Sequence, residues 1–215
     1  MNLPTKITVS RIVVIVFLIM GLFIMSVIPN WDAPTLGNTG INLVFLIVTI
    51  VFLIASLTDF FDGYLARKLN QVTSLGKFLD PVADKLLVNS MIIFLVAPSI
   101  FAPYVNPNVQ IISFNIWCAI ILVARDIIVD ALRFIAAQKK IVIAANIFGK
   151  AKTVLQMVAI VLVLLNGFPF NYFDSQWPAG LHIADIFVYL ATFVSVLSGI
   201  IYVVQNRKVL IDNEH

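Results

Sequence analysis

Charge is what this sequence has least of. Asp, Glu, Lys and Arg make up 12% of its 215 residues while 61% are hydrophobic, against a charged share of about 25% in soluble domains. That imbalance excludes a soluble globular chain and places the protein in a bilayer, with no nucleic-acid partner expected. The single cysteine, Cys118, excludes an intramolecular disulfide, and its place in an apolar run points to packing. Internal repeats, low-complexity tails and a soluble domain are all lacking, so residues 1–215 are expected to form one membrane domain.

A spanning helix needs about 20 mostly apolar residues. Uncharged runs of that order cover Ile12–Trp31, Ala33–Thr58, Leu86–Ala124, Thr153–Phe173 and Ile186–Asn206. The third is too long for one helix and is interrupted by Pro98, Pro103 and Pro107 with Asn106 and Asn108, a polar turn between two spans. The expected fold is all-α, with six transmembrane helices near residues 7–28, 41–67, 77–97, 110–136, 149–167 and 184–206. The first run lacks a small-x-small cleavage pattern before Pro29 and reads as a retained helix.

Lysine and arginine are absent from segments 29–40, 98–109 and 168–183; all 14 fall in the N-terminus, residues 67–85, residues 125–152 and the C-terminus. Cytoplasmic flanks carry the positive excess, so both termini are expected in the cytoplasm of a multi-pass protein of the cell membrane. Trp31, Tyr104, Tyr172 and Trp177 fall at span ends, where amphipathic rings settle at headgroup level.

What this charge-poor chain does have is four acids between residues 59 and 84: Asp59, Asp62, Asp80 and Asp84. At 100° per residue Asp59, Asp62, Gly63 and Ala66 share a narrow arc of the second helix, and Gly76, Asp80 and Asp84 align on the third. Each aspartate near the bilayer centre costs ~2.5–3.5 kcal/mol, and mutual repulsion adds to that. Something cationic must offset it. Oxygen-only donors with no nearby Cys or His suit two hard divalent ions, Mg²⁺ or Mn²⁺, which would clamp a diphosphate. Gly63 and Ala66 leave bare backbone for a nucleotide, Arg67 can reach its phosphates, and Asp84 is the candidate general base. An ion or proton pathway is the other use of intramembrane carboxylates.

The spacing D-x-x-D-G-x-x-A-R-x8-G-x3-D-x3-D, met here by Asp59, Asp62, Gly63, Ala66, Arg67, Gly76, Asp80 and Asp84, resembles the CDP-alcohol phosphatidyltransferase family at every defined position. The resemblance implies metal at Asp59, Asp62 and Asp80, metal and base at Asp84, and CDP binding by the Asp62-Gly63-x-x-Ala66-Arg67 stretch with Gly76 and Thr8. It also implies CDP-diacylglycerol as donor, membrane lipids around the site, and a homodimer.

Three further segments resemble the bacterial phosphatidylglycerophosphate synthase branch of that family: Pro4 with Ile7-Thr8-Val9-Ser10-Arg11-Ile12, Ala124-Arg125-Asp126 with Ala131-Leu132-Arg133, and Gly149-Lys150-Ala151-Lys152-Thr153 with Gln156-Met157. Thr5 departs from that pattern's Asn and Asp126 from its Glu. The branch implies glycerol 3-phosphate as acceptor, and a phosphate-bearing acceptor needs basic groups; Arg125, Lys150, Lys152 and Arg207 are the candidates. Sister transferases using phosphatidylglycerol, inositol phosphate or serine would share every motif residue. Arg125, well inside an apolar helix, needs a ligand or a carboxylate such as Asp130, and Arg133 is spaced to pair with Asp130. For Lys150, Lys152 and Arg207 the alternative is positive-inside flanking.

Overall fold

The structure, a computed structural model, describes residues 3–28, 34, 36, 41–68, 74–97, 111–139 and 147–207, with side chains left out at 3, 4, 60–68, 74, 75, 77 and 78. The proline-rich turn at 98–109, Trp31 and Tyr104 lie outside the described residues. Seven helices make up the described chain: α1 Leu3–Val27, α2 Leu43–Lys68, α3 Ser74–Val96, α4 Ile116–Gln138, α5 Ile147–Leu164, the one-turn α6 Asn171–Asp174 and α7 Ile183–Gln205. The six long ones fall where the apolar runs place them. α4 begins at Ile116 rather than near 110, because Asn115 caps it by accepting the Trp117 N–H at 2.9 Å and residues 111–115 lead in without helix.

Among the described residues the regular structure is helical, and the protein is a membrane protein. α1 from Thr5, α5 and α7 are long and apolar enough to cross a bilayer, and α2 is apolar over Leu43–Asp59. α3 and α4 are as long as α7 but carry charge: Asp80, Asp84 and Lys85 on α3, and Arg125, Asp126, Asp130 and Arg133 on α4. Their apolar side chains still face outward, Ile93, Ile127, Ile128 and Phe134 among them, as expected where the solvent is lipid. Serine and threonine hydroxyls bond back to their own helix, Thr49 to the Phe45 carbonyl at 2.7 Å and Ser56 to Phe52 at 2.8 Å, which satisfies polar groups without water.

The chain forms two compact units. The first holds Met1–Ser113 with Leu164–Phe168, and in it α1 packs against α2 and α3. Phe45, Phe52, Ala83, Met91, Ile92 and Leu95 are buried there, with Phe45 and Phe94 edge to face at 6.0 Å. The second holds Phe114–Val163 with Pro169–His215, and in it α4 packs against α7. The buried face of α7 runs Ala184, Val188, Ala191, Thr192, Ser195, Ser198, Gly199 and Tyr202, mostly small residues that let backbones approach closely, as membrane helices require. Cys118 is free and buried in α4, the packing role expected of it.

Candidate active site

α1 is inside out. From Val13 onward its exposed positions are apolar, Val13, Val14, Phe17, Met20 and Phe23 among them, whereas Thr5, Thr8 and Arg11 are buried together with Ile15. Spaced by three and four residues, these form one stripe on the helix. A polar stripe turned away from lipid must meet polar partners, and it does. Thr8 Oγ1 donates to Asp80 Oδ1 of α3 at 2.8 Å, and the Arg11 guanidinium pairs with Asp59 Oδ1 of α2. Thr8 and Arg11 are one turn apart, so the carboxylates of Asp59 and Asp80 reach the same short stretch of α1.

Two of the three motif aspartates whose side chains are described thus meet one element. Asp84 lies one turn beyond Asp80 on α3, partly buried, and Gly76 is buried one turn before it. Between them Pro81 cannot donate to the carbonyl four residues earlier, so a backbone acceptor is left over within the acidic stretch. The backbones of Asp62, Gly63, Ala66 and Arg67 continue α2, but their side chains lie outside the described residues. Arg11 is the residue that the sequence reading missed. The signal was there: an arginine at i+3 from Thr8 and i+6 from Thr5, on the line those two threonines share.

A second polar group lies in the second unit, around Asp126 of α4. The Lys152 ammonium of α5 donates to both Asp126 oxygens at 2.7 Å, and Lys152 is only 5% exposed. Arg125 gives one guanidinium nitrogen to Asp126 Oδ1 at 3.0 Å and the other to Ser198 Oγ of α7 at 2.6 Å, while its buried Nε has no hydrogen-bond partner. Gly199 makes room for this arrangement, since a Cβ there would stand 3.0 Å from Arg125 Cγ. Lys150 and Arg207 are exposed. Arg125 therefore meets Asp126 and not Asp130, and Arg133 turns to Tyr202, its Nε donating to the hydroxyl at 3.1 Å with the guanidinium 5.5 Å from the ring centroid.

The CDP-alcohol phosphatidyltransferase family model matches residues 1–203. The chain belongs to the CDP-alcohol phosphatidyltransferase family. It is 39% identical over 210 residues to the CDP-diacylglycerol–glycerol-3-phosphate 3-phosphatidyltransferase of Bacillus subtilis, with 97% of each chain covered. Proteins of the same name from Rickettsia felis and Haemophilus influenzae are 35% and 32% identical, covering 96% and 99% of this chain and 96% and 97% of theirs.

As a member of this family the protein is a membrane phosphatidyltransferase, and enzymes of the family generally work with divalent metal ions. The donors at hand fit such ions, being carboxylate oxygens. Among the described residues no three acids, imidazoles or thiols stand ready as a ligand set, and Asp62, the remaining member of the motif, is not among those side chains. The far end of α7 is unrelated to this chemistry. There Asp185 accepts the His182 N–H at 3.0 Å and Asp174 accepts the Ile183 N–H at 2.7 Å, acids at a helix N-terminus where the dipole favours them. Tyr172 and Trp177 are exposed nearby.

Proposed function

We propose that the protein transfers the phosphatidyl group of CDP-diacylglycerol to sn-glycerol 3-phosphate, releasing CMP, by direct displacement at the cytoplasmic side of the cell membrane. The observation that carries this reading is that Asp59 and Asp80, from opposite halves of the motif, are both held by one turn of α1. Four acids in a charge-poor chain, two of them brought onto one buried polar stripe, are the makings of a site for a cation-bridged diphosphate. The names of its relatives supply the acceptor.

Asp59, Asp62, Asp80 and Asp84 would hold two divalent ions, Mg²⁺ or Mn²⁺, which supply charge neutralisation for the departing CMP. Gly63, Ala66, Arg67, Gly76 and Thr8 would bind the nucleotide. Asp84 takes the proton from the 1-hydroxyl of the acceptor. The freed oxygen bonds to the phosphorus that carries the diacylglycerol, the bond from that phosphorus to the CMP oxygen breaks, and the electron pair leaves with CMP. Arg125, Lys150 and Arg207 supply the positive field for the acceptor's own phosphate, whereas the Lys152 ammonium is taken up by Asp126. The diacylglycerol tails would stay in the bilayer, so the donor would enter sideways from lipid. Six spans, both termini in the cytoplasm and a homodimer complete the proposal.

Purified protein supplied with CDP-diacylglycerol and Mg²⁺ or Mn²⁺ is tested against glycerol 3-phosphate, phosphatidylglycerol, inositol phosphate and serine, following CMP. Release with glycerol 3-phosphate at least about 100-fold above the others is expected, a ratio of about 2.7 kcal/mol. Exclusive use of a different acceptor would end the proposal for glycerol 3-phosphate, and metal flux without CMP would end it for transfer altogether.

A further inference from the structure

We propose that Asp126 and Lys152 act as one positioning unit for Arg125, and that Arg125 alone of the three touches the acceptor phosphate. The inference rests on the acceptor reading above and divides the labour within it. The three side chains come from two helices and are closely joined: both carboxylate oxygens of Asp126 accept from Lys152 Nζ at 2.7 Å, and one of them also accepts from Arg125 at 3.0 Å. Two cations and one anion leave a single positive charge, and the geometry says where it is usable. Lys152 faces the carboxylate with its ammonium and is 5% exposed, as is Asp126. The ammonium is thus committed to a bidentate contact in a place that water hardly reaches.

Arg125 is differently placed. Its two terminal nitrogens are held by different partners, Asp126 and Ser198, and its Nε is buried with no hydrogen-bond partner. A buried donor left without an acceptor costs roughly 1–3 kcal/mol. An anionic oxygen would remove that penalty, and a planar guanidinium suits a phosphate. Asp126 is therefore not a competitor for the acceptor. It fixes the direction of the fork, and Lys152 keeps the carboxylate from drawing the guanidinium fully onto itself.

The two positioning residues should then depend on each other. Removing Lys152 alone leaves the carboxylate with Arg125 as its cation, which pulls the fork off Ser198. Removing Asp126 alone takes from the ammonium and the fork the carboxylate to which both donate. Removing both keeps the net charge at one and leaves Arg125 on Ser198. Broken buried pairs suffer far more than pairs replaced whole, so the pattern is one of coupling, not of addition.

The test is a set of full-length variants in lipid nanodiscs, with CMP release measured at varied glycerol 3-phosphate and saturating CDP-diacylglycerol, alongside thermal midpoints. Asp126→Asn and Lys152→Met are each expected to raise KM for glycerol 3-phosphate about tenfold, with KM for CDP-diacylglycerol within about twofold of the parent. The double variant should return to within about threefold and recover the parent's midpoint. Asp126→Glu should also stay within about threefold, and Arg125→Gln should raise KM by about 100-fold. A double variant as poor as Lys152→Met would overturn the proposal, because it would mean that the ammonium itself holds the phosphate; single variants with unchanged KM would overturn it too. A parent protein that releases no CMP with glycerol 3-phosphate would instead sink the acceptor reading and this inference with it.

Discussion

At the scale of single residues, the partners of the aspartates decide what those aspartates can do. Arg11 places a guanidinium on one oxygen of Asp59, and Thr8 places a hydroxyl on one oxygen of Asp80. Each bond fixes the orientation of its carboxylate and leaves the other oxygen to face elsewhere. Groups that orient metal-ligating side chains typically matter by about 10–100-fold in metal affinity or activity. Arg11→Ala is accordingly expected to weaken Mn²⁺ binding and to lower turnover by about that much, with Arg11→Lys in between. The Arg11 side chain is 2% exposed and that of Asp59 40%, so the truncation should also lower the thermal midpoint, which far-UV circular dichroism melts can check. Titration with Mn²⁺ followed by electron paramagnetic resonance reads the metal effect separately from activity.

At the scale of elements, the second unit depends on how closely α4 and α7 approach. The small face of α7 allows Arg125 to lie across Gly199 toward Ser198. Gly199→Ala keeps the helix, and alanine is in fact the better helix former by about 1 kcal/mol. Its Cβ would stand 3.0 Å from Arg125 Cγ, so the arginine stem must give by a few tenths of an ångström. The expected outcome is a folded protein whose KM for glycerol 3-phosphate rises several-fold, about 1 kcal/mol or less, with kcat almost unchanged. An unaltered KM would show that Arg125 has room to spare or no part in acceptor binding.

For the whole molecule, most of the fold was legible because lipid imposes length and polarity together. Long uncharged runs located all six long helices, and the absence of a cap signal in the reading explains the misplaced start of α4, which Asn115 determines. The one-turn α6 was not foreseen, since a single turn carries no periodicity. Side-chain partners were harder. Arg11 and Asp59 are separated by 48 positions and Lys152 and Asp126 by 26, and helical spacing speaks only to neighbours three or four apart. That is why Arg133 was matched to Asp130 when Tyr202, from another helix, receives it. The four aspartates stand out in the sequence because charge in an apolar chain is itself a signal. The topology read from lysine and arginine can be tested with the sole cysteine removed. In a Cys118→Ala background, Ser175→Cys should react with an impermeant maleimide from outside intact cells, and Asn206→Cys only after the membrane is opened. The reverse pattern would invert the orientation.

In the proposed reaction Asp84 is the group that takes the acceptor's proton. Loss of a general base typically lowers turnover by about 10²–10⁴-fold. Transfer of radiolabelled glycerol 3-phosphate into lipid, measured for the parent and for Asp84→Asn with Mg²⁺ or Mn²⁺ present, is the most direct trial. The prediction is one labelled lipid per CMP released by the parent and a loss of at least about 100-fold in the variant, with its helical spectrum intact. Label entering lipid at the parent's rate in Asp84→Asn would contradict it.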